Sequence, residues 1–260
     1  MSMKLKFLLW VALSLTFTGV FMSCGDEDVM EQVKEEIVVG QIIFSITSEN
    51  TVEVAEYMDI HKYDVVIPSR VWINSKEYSV TSIGNFAFYY CDGLTSIEIP
   101  SSVTSIGEYA FSHCRGLTSI EIHSGVTSIG KAAFHGCSGL TSIEIPSSVT
   151  SIGNDAFYCC DGLTSIEIPS SVTNIGDGAF AGCSGLTSIK IPSSVTSIGY
   201  RAFLGCSGLT SIEIPSSVTS IGNSAFSYCK NADIVIDNSE ENVTVGRDAF
   251  ADCKSVTWKR

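Results

Sequence analysis

Carboxylates recur at a fixed interval and are the most regular candidates for binding chemistry in this sequence. Five of them stand at multiples of 23 residues, with Lys190 in the one intervening place: Glu98, Glu121, Glu144, Glu167 and Glu213. On neighbouring parallel strands, such residues would lie about 4.8 Å apart. The row could bind a basic patch on a partner or weakly hold calcium, or it could be a solubilising stripe that deters sheet-to-sheet association.

Cysteines form a second regular set, which could supply metal ligands or disulfides. Eight of the ten cysteines share the 23-residue interval, apart from a final step of 24: Cys91, Cys114, Cys137, Cys160, Cys183, Cys206, Cys229 and Cys253. A zinc site needs closely paired ligands, which this spacing does not supply. Neighbouring cysteines would be close enough for disulfides, but their place beside an inward-facing phenylalanine favours buried free thiols. Cys159 stands outside the column and is predicted to be an exposed, reactive thiol.

The remaining polar residues form no catalytic constellation. The histidines fall at different positions of the sequence pattern, so they are not expected to converge on one metal or one nucleophile: His61, His113, His123 and His135. No nucleophile elbow, phosphate loop or dinucleotide fingerprint is present, and the glutamates have surroundings too alike to separate an acid from a base. A net charge of −13 also disfavours nucleic acid as a partner. The sequence therefore predicts a protein that is not an enzyme and has no cofactor or dedicated metal site.

These side chains recur because the sequence itself repeats every 23 residues. The segment Ile-Pro-Ser-Ser-Val-Thr-Ser-Ile-Gly occurs unchanged at 99–107, 145–153, 191–199 and 214–222. The repetition also explains the composition, in which 39 serines and 28 isoleucines make up about a quarter of the 260 residues. One unit of this length cannot bury its own apolar side, so the units must stack as a solenoid.

The unit at residues 94–116 shows how one coil is expected to fold. Residues 97–99 alternate inward and outward as a short strand, which ends at Pro100 because proline cannot donate a ladder hydrogen bond. Gly107 then permits a turn. The apolar residues within 110–114 have the spacing of a single helical turn with one buried face.

The pattern Leu-x-x-Ile-x-Ile-Pro-x-x-Val-x-x-Ile-Gly-x-x-Ala-Phe-x-x-Cys resembles the 23-residue leucine-rich repeat of BspA-like bacterial surface lipoproteins, the Treponema type. The likeness covers residues 81–260 as about eight units, the last of them irregular. It implies an α/β-type, mainly β, right-handed solenoid, with a parallel sheet on the concave side and short helical turns on the convex side. It also implies a cell-surface role in adhesion or in binding host proteins.

The residues before the repeats are expected to form three parts. Residues 1–23 have the basic start and apolar run of a secretory signal peptide, and the following Cys24 stands in a sequence that resembles a lipoprotein cleavage box. Residues 24–40 read as an acidic tether, and residues 41–80 as a β cap over the first coil. The protein is thus predicted to be an exported outer-membrane lipoprotein that faces the cell surface, a monomer whose membrane contact is the lipid on Cys24.

Aromatic residues concentrate in the first units, at positions where the units differ from one another: Phe86, Tyr89, Tyr90, Tyr109, His113, His135 and, further on, Tyr158. Such a region could contact a protein or a glycan, because tyrosine gives a large contact area at low entropic cost. Alternatively, Phe86 and Tyr89 could pack against the cap. The predicted function is adhesion or binding to a host or extracellular matrix protein, and the alternatives are a structural envelope spacer and a glycan-binding accessory lipoprotein.

Overall fold

The structure, a computed structural model, describes residues 36–59 and 63–259. The predicted signal peptide, Cys24 and the tether as far as residue 35 lie outside the described residues. Residues 36–39, the near end of the predicted tether, form a strand. The strands before the repeats are β1 (Glu36–Val39), β2 (Ile42–Ile46), β3 (Thr51–Tyr57), β4 (Asp64–Val66), β5 (Arg70–Ile73) and β6 (Lys76–Ile83).

Each coil of the repeat then contributes a longer strand and a two-residue strand. In chain order these are β7 (Ser96–Glu98), β8 (Ser105–Ile106), β9 (Ser119–Glu121), β10 (Ser128–Ile129), β11 (Ser142–Glu144), β12 (Ser151–Ile152), β13 (Ser165–Glu167), β14 (Asn174–Ile175), β15 (Ser188–Lys190), β16 (Ser197–Ile198), β17 (Ser211–Ile214), β18 (Ser220–Ile221), β19 (Asp233–Ile236), β20 (Thr244–Val245) and β21 (Ser255–Trp258). A short 3₁₀ helix, Glu240–Asn242, interrupts the last coils.

The strands stack in register into parallel ladders, which confirms the predicted mainly β solenoid. The longer strands from β9 to β21 form a seven-stranded sheet, here called the long-strand sheet, and β7 pairs with β4 beside it. The two-residue strands continue from β6 through β8 to β20 in a twelve-stranded sheet. This second ladder was not predicted as a sheet, because two residues per coil are too few to show a strand periodicity.

Phenylalanines form the centre of the core. One fully buried ring per coil stacks on the next, from Phe88 on Phe111 at 5.1 Å between centroids to Phe203 on Phe226 at 5.0 Å. Leucine, isoleucine, valine and alanine columns surround the rings, so every coil buries the same set of side chains. Stacking in register therefore buries each coil's apolar side against its two neighbours.

The strands that precede the repeats cover the first coil. β2 and β3 form an antiparallel hairpin, and Asn74 and Ser75 form the turn between β5 and β6 with φ of 49° and 66°. Tyr57, at the end of β3, packs its ring 5.3 Å from that of Phe88 and donates its backbone N–H to the carbonyl of Ala87. Tyr57 thus covers the N-terminal end of the phenylalanine column.

The predicted helical turn after Ile-Gly is wrong. In the first coil, the N–H groups of Phe86, Phe88 and Tyr90 donate to carbonyls of the next coil, at 2.9, 2.7 and 2.9 Å. The N–H groups between them bond within the coil to the residue three positions earlier. The segment is a series of tight turns because half of its amides join neighbouring coils, which a helix would not allow.

Glycine after isoleucine is required by the close approach of coils rather than by a turn. A Cβ on Gly130 would lie 2.6 Å from the carbonyl carbon of Gly107 in the preceding coil, and Gly153 stands against Gly130 in the same way. No other residue fits this column without separating the coils.

The cysteine column lies mostly in the core. From Cys91 to Cys229 its thiols are buried, and those from Cys114 onward donate to a phenylalanine carbonyl of the preceding coil at 3.1 Å. Burial raises the pKa of Cys137 and of Cys183 to about 12. The expectation of eight buried thiols is wrong for Cys253, which is partly exposed because it belongs to the last coil.

The glycine column predicts an unequal pair of alanine substitutions. Gly130→Ala forces backbone atoms of two coils apart, whereas Gly205→Ala meets nothing within 4 Å and costs only the left-handed conformation at φ +71°, about 1 kcal/mol. We expect a clearly larger loss of melting temperature for Gly130→Ala, measured by circular dichroism. Equal losses would contradict the close-approach explanation.

Two accessible thiols are expected in the native protein among residues 36–59 and 63–259. Cys159 and Cys253 are partly exposed, yet burial raises the pKa of the first and a hydrogen bond with Cys229 raises the pKa of the second. Both should therefore react slowly with an aromatic disulfide reagent at pH 8, and the buried thiols should react only in denaturant. Cys159→Ser should remove one of the two slow phases. Rapid native labelling of the whole column would contradict its burial.

Candidate binding surfaces

Seven aromatic rings of the first four coils form one continuous chain of contacts, here called the aromatic cluster: Tyr109, Phe86, Tyr89, Tyr90, His113, His135 and Tyr158. Phe86 stacks on Tyr109 at 5.0 Å, and Tyr90 stacks on His113 at 4.4 Å. An edge contact of 4.9 Å joins His113 to His135, whose ring stacks on Tyr158. The structure thus brings together all seven aromatic residues singled out from the sequence.

The cluster includes two histidines, which the sequence places at variable positions of the repeat but does not predict to converge. His113 and His135 occupy different columns, yet they touch because each lies beside the turn that follows the buried phenylalanine. The sequence feature that indicates a role for both histidines is their place at variable positions of the repeat.

The cluster faces solvent rather than the β cap. Phe86 is 50% exposed and Tyr90 39% exposed, and the cap residue Tyr57 packs on the buried Phe88 instead. The rings of Phe86 and Tyr89 meet each other at 5.5 Å. These contacts favour a surface cluster over packing against the cap.

The backbone beneath the cluster is strained. Phe86, Tyr90, Tyr109 and His113 have φ between 54° and 61°, in the left-handed region that bulky residues avoid. Four equivalent positions of other coils hold glycine, at Gly136, Gly178, Gly182 and Gly205, and the rest hold non-glycine residues, most of them smaller than an aromatic ring. Each bulky residue in this conformation costs about 1 kcal/mol relative to glycine, so the aromatic side chains are kept here at the expense of stability.

Unpartnered polar atoms add to this cost. The hydroxyl of Ser112 and Nδ1 of His135 are buried without a hydrogen-bond partner among the described residues. Ser112 lies in the same column as Tyr89 and His135, between them along the stack. Strain and unsatisfied groups that coincide on one surface are typical of functional sites.

Burial sets the protonation of the cluster. It lowers the pKa of His113 and of His135, although Asp92 and Asp155 act on them in the opposite direction. Burial and the neighbouring phenol of Tyr90 raise the pKa of Tyr89. At neutral pH, His113, His135 and Tyr89 are therefore uncharged.

The glutamate row is a second, simpler surface. Glu121, Glu144 and Glu167 are direct cross-strand neighbours on the long-strand sheet, and all are exposed. Lys190 stands next to Glu167, and Nζ of Lys259 lies 2.5 Å from Oε1 of Glu213. Glu98 lies on β7, opposite Val66 of β4. Cations within the chain thus offset the C-terminal part of the row.

The described residues contain no group of three or more histidine, cysteine or carboxylate side chains placed to hold a metal ion. Neighbouring glutamates of the row project from separate strands of the sheet. The row is suited to contact with positive charge on a partner more than to enclosing an ion. Within the same residues, no helix is long and apolar enough to cross a membrane.

Comparison with known proteins agrees with this geometry. A family profile described as BspA type leucine rich repeat region, in six copies, matches residues 72–187 and 173–258. This chain belongs to the BspA-type leucine-rich repeat family. A search of curated proteins finds no match to it.

Solved structures of bacterial leucine-rich repeat proteins resemble this BspA-type protein over most of its length. One from Bacteroides ovatus is 29% identical, with a TM-score of 0.60, over 85% of this chain and 70% of that one. The T. pallidum leucine-rich repeat protein is also 29% identical, with a TM-score of 0.61, over 84% of this chain and 89% of that one. The coils described above are therefore those of a leucine-rich repeat.

The two clustered histidines predict a loss of stability in acid. Their pKa values are lowered in the folded state, so their contribution is complete above the unfolded pKa of about 6.5 and is lost as the pH falls below it. His113→Tyr with His135→Tyr installs residues found in the same columns, keeps the stacking and does not titrate in this range. We expect the melting temperature of the double variant to fall less than that of the natural chain between pH 7 and pH 5. If the melting temperatures of the double variant and of the natural chain fall equally between pH 7 and pH 5, the two histidines are not the cause of the loss of stability.

Proposed function

We propose that this protein is an adhesin, which binds a host or extracellular matrix protein at the cell surface without catalysis. The aromatic cluster is its contact surface. In this proposal the chain is exported, is held in the outer membrane by a lipid on Cys24, and acts as a monomer. The strands of the cap then lie between the anchor and the cluster along the sequence.

The placement of bulky rings on strained backbone carries this proposal. A coil needs a left-handed residue at two places, and glycine meets that need at no steric cost. Phe86, Tyr90 and Tyr109 take those places in the first two coils and are partly exposed. A purely structural spacer would have no use for this arrangement, since exposed rings at strained positions lower stability and add no core.

The orientation of the rings favours a protein over a glycan. Sugars bind to tyrosine and tryptophan mainly through an open ring face. Here Phe86 and Tyr109 each cover one face of the other, with 2° between the ring planes, and His135 and Tyr158 do the same at 12° from parallel. The cluster offers edges, hydroxyls and imidazole nitrogens, a mixture common in the buried centres of protein interfaces.

Glycine substitutions test the cluster without disturbing the fold. In Phe86→Gly with Tyr90→Gly, the rings are removed while the left-handed backbone is relieved of strain, so the melting temperature should stay the same or rise. Binding of the full chain to immobilised matrix proteins, measured by surface plasmon resonance, should weaken about tenfold or more, as expected for the loss of central aromatic contacts.

Tyr228→Gly is the matched control. Tyr228 is 53% exposed, has φ of 64° and occupies the column of Tyr90 near the other end of the solenoid. It should leave binding unchanged. Equal losses for both variants, or binding that survives the double substitution, would refute the cluster as the contact surface. Binding that disappears in high salt and ignores both variants would favour the glutamate row.

A further inference from the structure

The geometry points to a proline-rich segment in the polyproline II conformation, carrying lysine or arginine, as the ligand of the aromatic cluster. This inference rests on the proposed function and specifies the chemistry of the partner. The segment would lie along the solenoid axis, across the first four coils.

The spacing of the coils matches this conformation. Tyr89 and His135 stand in one column two coils apart, and the residue of that column between them is the buried Ser112. Two steps between parallel strands span about 9.6 Å. A polyproline II helix repeats every three residues, which is about 9.3 Å. Equivalent residues on successive turns would therefore meet Tyr89 and His135 in the same way.

The ring of His113 lies between those two residues, with its centroid 6.1 Å from that of Tyr89 and 4.9 Å from that of His135. His113 leans from the adjacent column toward the following coil, where a Cβ on Gly136 would lie 2.7 Å from its Nδ1. The three rings thus form a continuous aromatic surface two coils long. Pyrrolidine rings pack against aromatic side chains, and the rigid polyproline II conformation loses little entropy on binding.

Hydrogen bonding points the same way. A polyproline II segment has no internal hydrogen bonds and keeps its carbonyl oxygens solvated. Tyrosine hydroxyls and imidazole N–H groups are donors that such carbonyls can accept. A segment rich in proline has few N–H groups of its own, so a surface lined with donors complements it better than a sheet edge would.

Charge adds a preference for basic residues between the prolines. Asp92 and Asp155 act on the two histidines, and Glu108 is exposed beside Phe86. Arg115, 4.0 Å from Asp92, and the exposed Lys131, whose carbonyl accepts the N–H of Tyr109, offset these acids in part. The whole chain carries a net charge of −13. A basic partner is therefore attracted to this face, and an acidic one is repelled.

Three synthetic peptides separate these contributions in titrations of the full chain followed by tyrosine fluorescence and calorimetry. The first is decaproline with an arginine at each end, the second is decaproline with a glutamate at each end, and the third is a glycine-serine decamer with terminal arginines. The first should bind about tenfold or more tightly than either of the others, a difference that would show in calorimetry as separate titration midpoints. Equal binding of the two arginine peptides would reduce the site to charge and overturn the inference, as would no binding of the first.

Variants that borrow residues from equivalent positions locate the contact. Tyr89→Ser copies Ser112 and His135→Ala copies Ala181, while Leu204→Ala alters the same column outside the cluster. The first two should each weaken binding of the arginine-flanked decaproline severalfold, and the third should not. If all three leave binding unchanged, the inferred site is wrong.

Competition distinguishes this inference from the proposed function. If matrix proteins bind through Phe86 and Tyr90 and the arginine-flanked decaproline displaces these proteins, the proposed function and the polyproline inference both stand. If they bind through those residues and excess peptide does not displace them, the function stands and the polyproline inference fails. If neither binds, both fail.

Discussion

The stacking of coils in exact backbone register is the constraint on which the rest of this structure depends. Hydrogen bonds join each coil to the next on both ladders and through the turn segment, as from Gly107 to the carbonyl of Ile83 and from Phe88 to that of Ala110. These bonds bring the backbones so close that one column admits glycine alone. They also align every side chain with its counterpart one unit away, which turns a sequence repeat into columns of phenylalanine, cysteine and glutamate. The phenylalanine core, the column of thiols and the glutamate row therefore all follow from the 23-residue repeat.

Much of this could be predicted from the sequence, because register converts periodicity directly into position. Ile97 and Glu98 alternate along a strand, and their repeats lie where the period places them. The turn segment was mistaken for a helical turn because Ala110, Phe111 and Cys114 have helical spacing, and spacing does not reveal that every second amide bonds to another coil. The exposure of Cys253 depends on its being in the last coil, which its place in the column does not show.

Only part of the aromatic cluster could be predicted from the sequence, for a related reason. Tyr89, Tyr90, His113 and His135 are all aromatic residues at variable positions, but the two histidines belong to different columns, which does not predict that they touch. Their contact arises from side chains that lean across columns, a feature of packing that a one-dimensional period does not encode. The strain did have a sequence signal, since glycine and bulky residues alternate at one position along the array. A repeat position with φ above zero shows such a mixture when some coils hold glycine there and others hold a side chain that serves another purpose than folding.

The coils that carry the aromatic cluster and the coils that are near copies of one another lie in different parts of this molecule. Tyr57 covers the first phenylalanine of the core, and the aromatic cluster begins in the coil directly after it. The later coils are near copies that meet their neighbours through the same surface. Duplication or loss of one 23-residue unit among them would change the length of the solenoid and preserve both interfaces of every remaining coil. The number of coils can therefore change without altering how the remaining coils pack, while the cluster keeps its distance from the N-terminal cap.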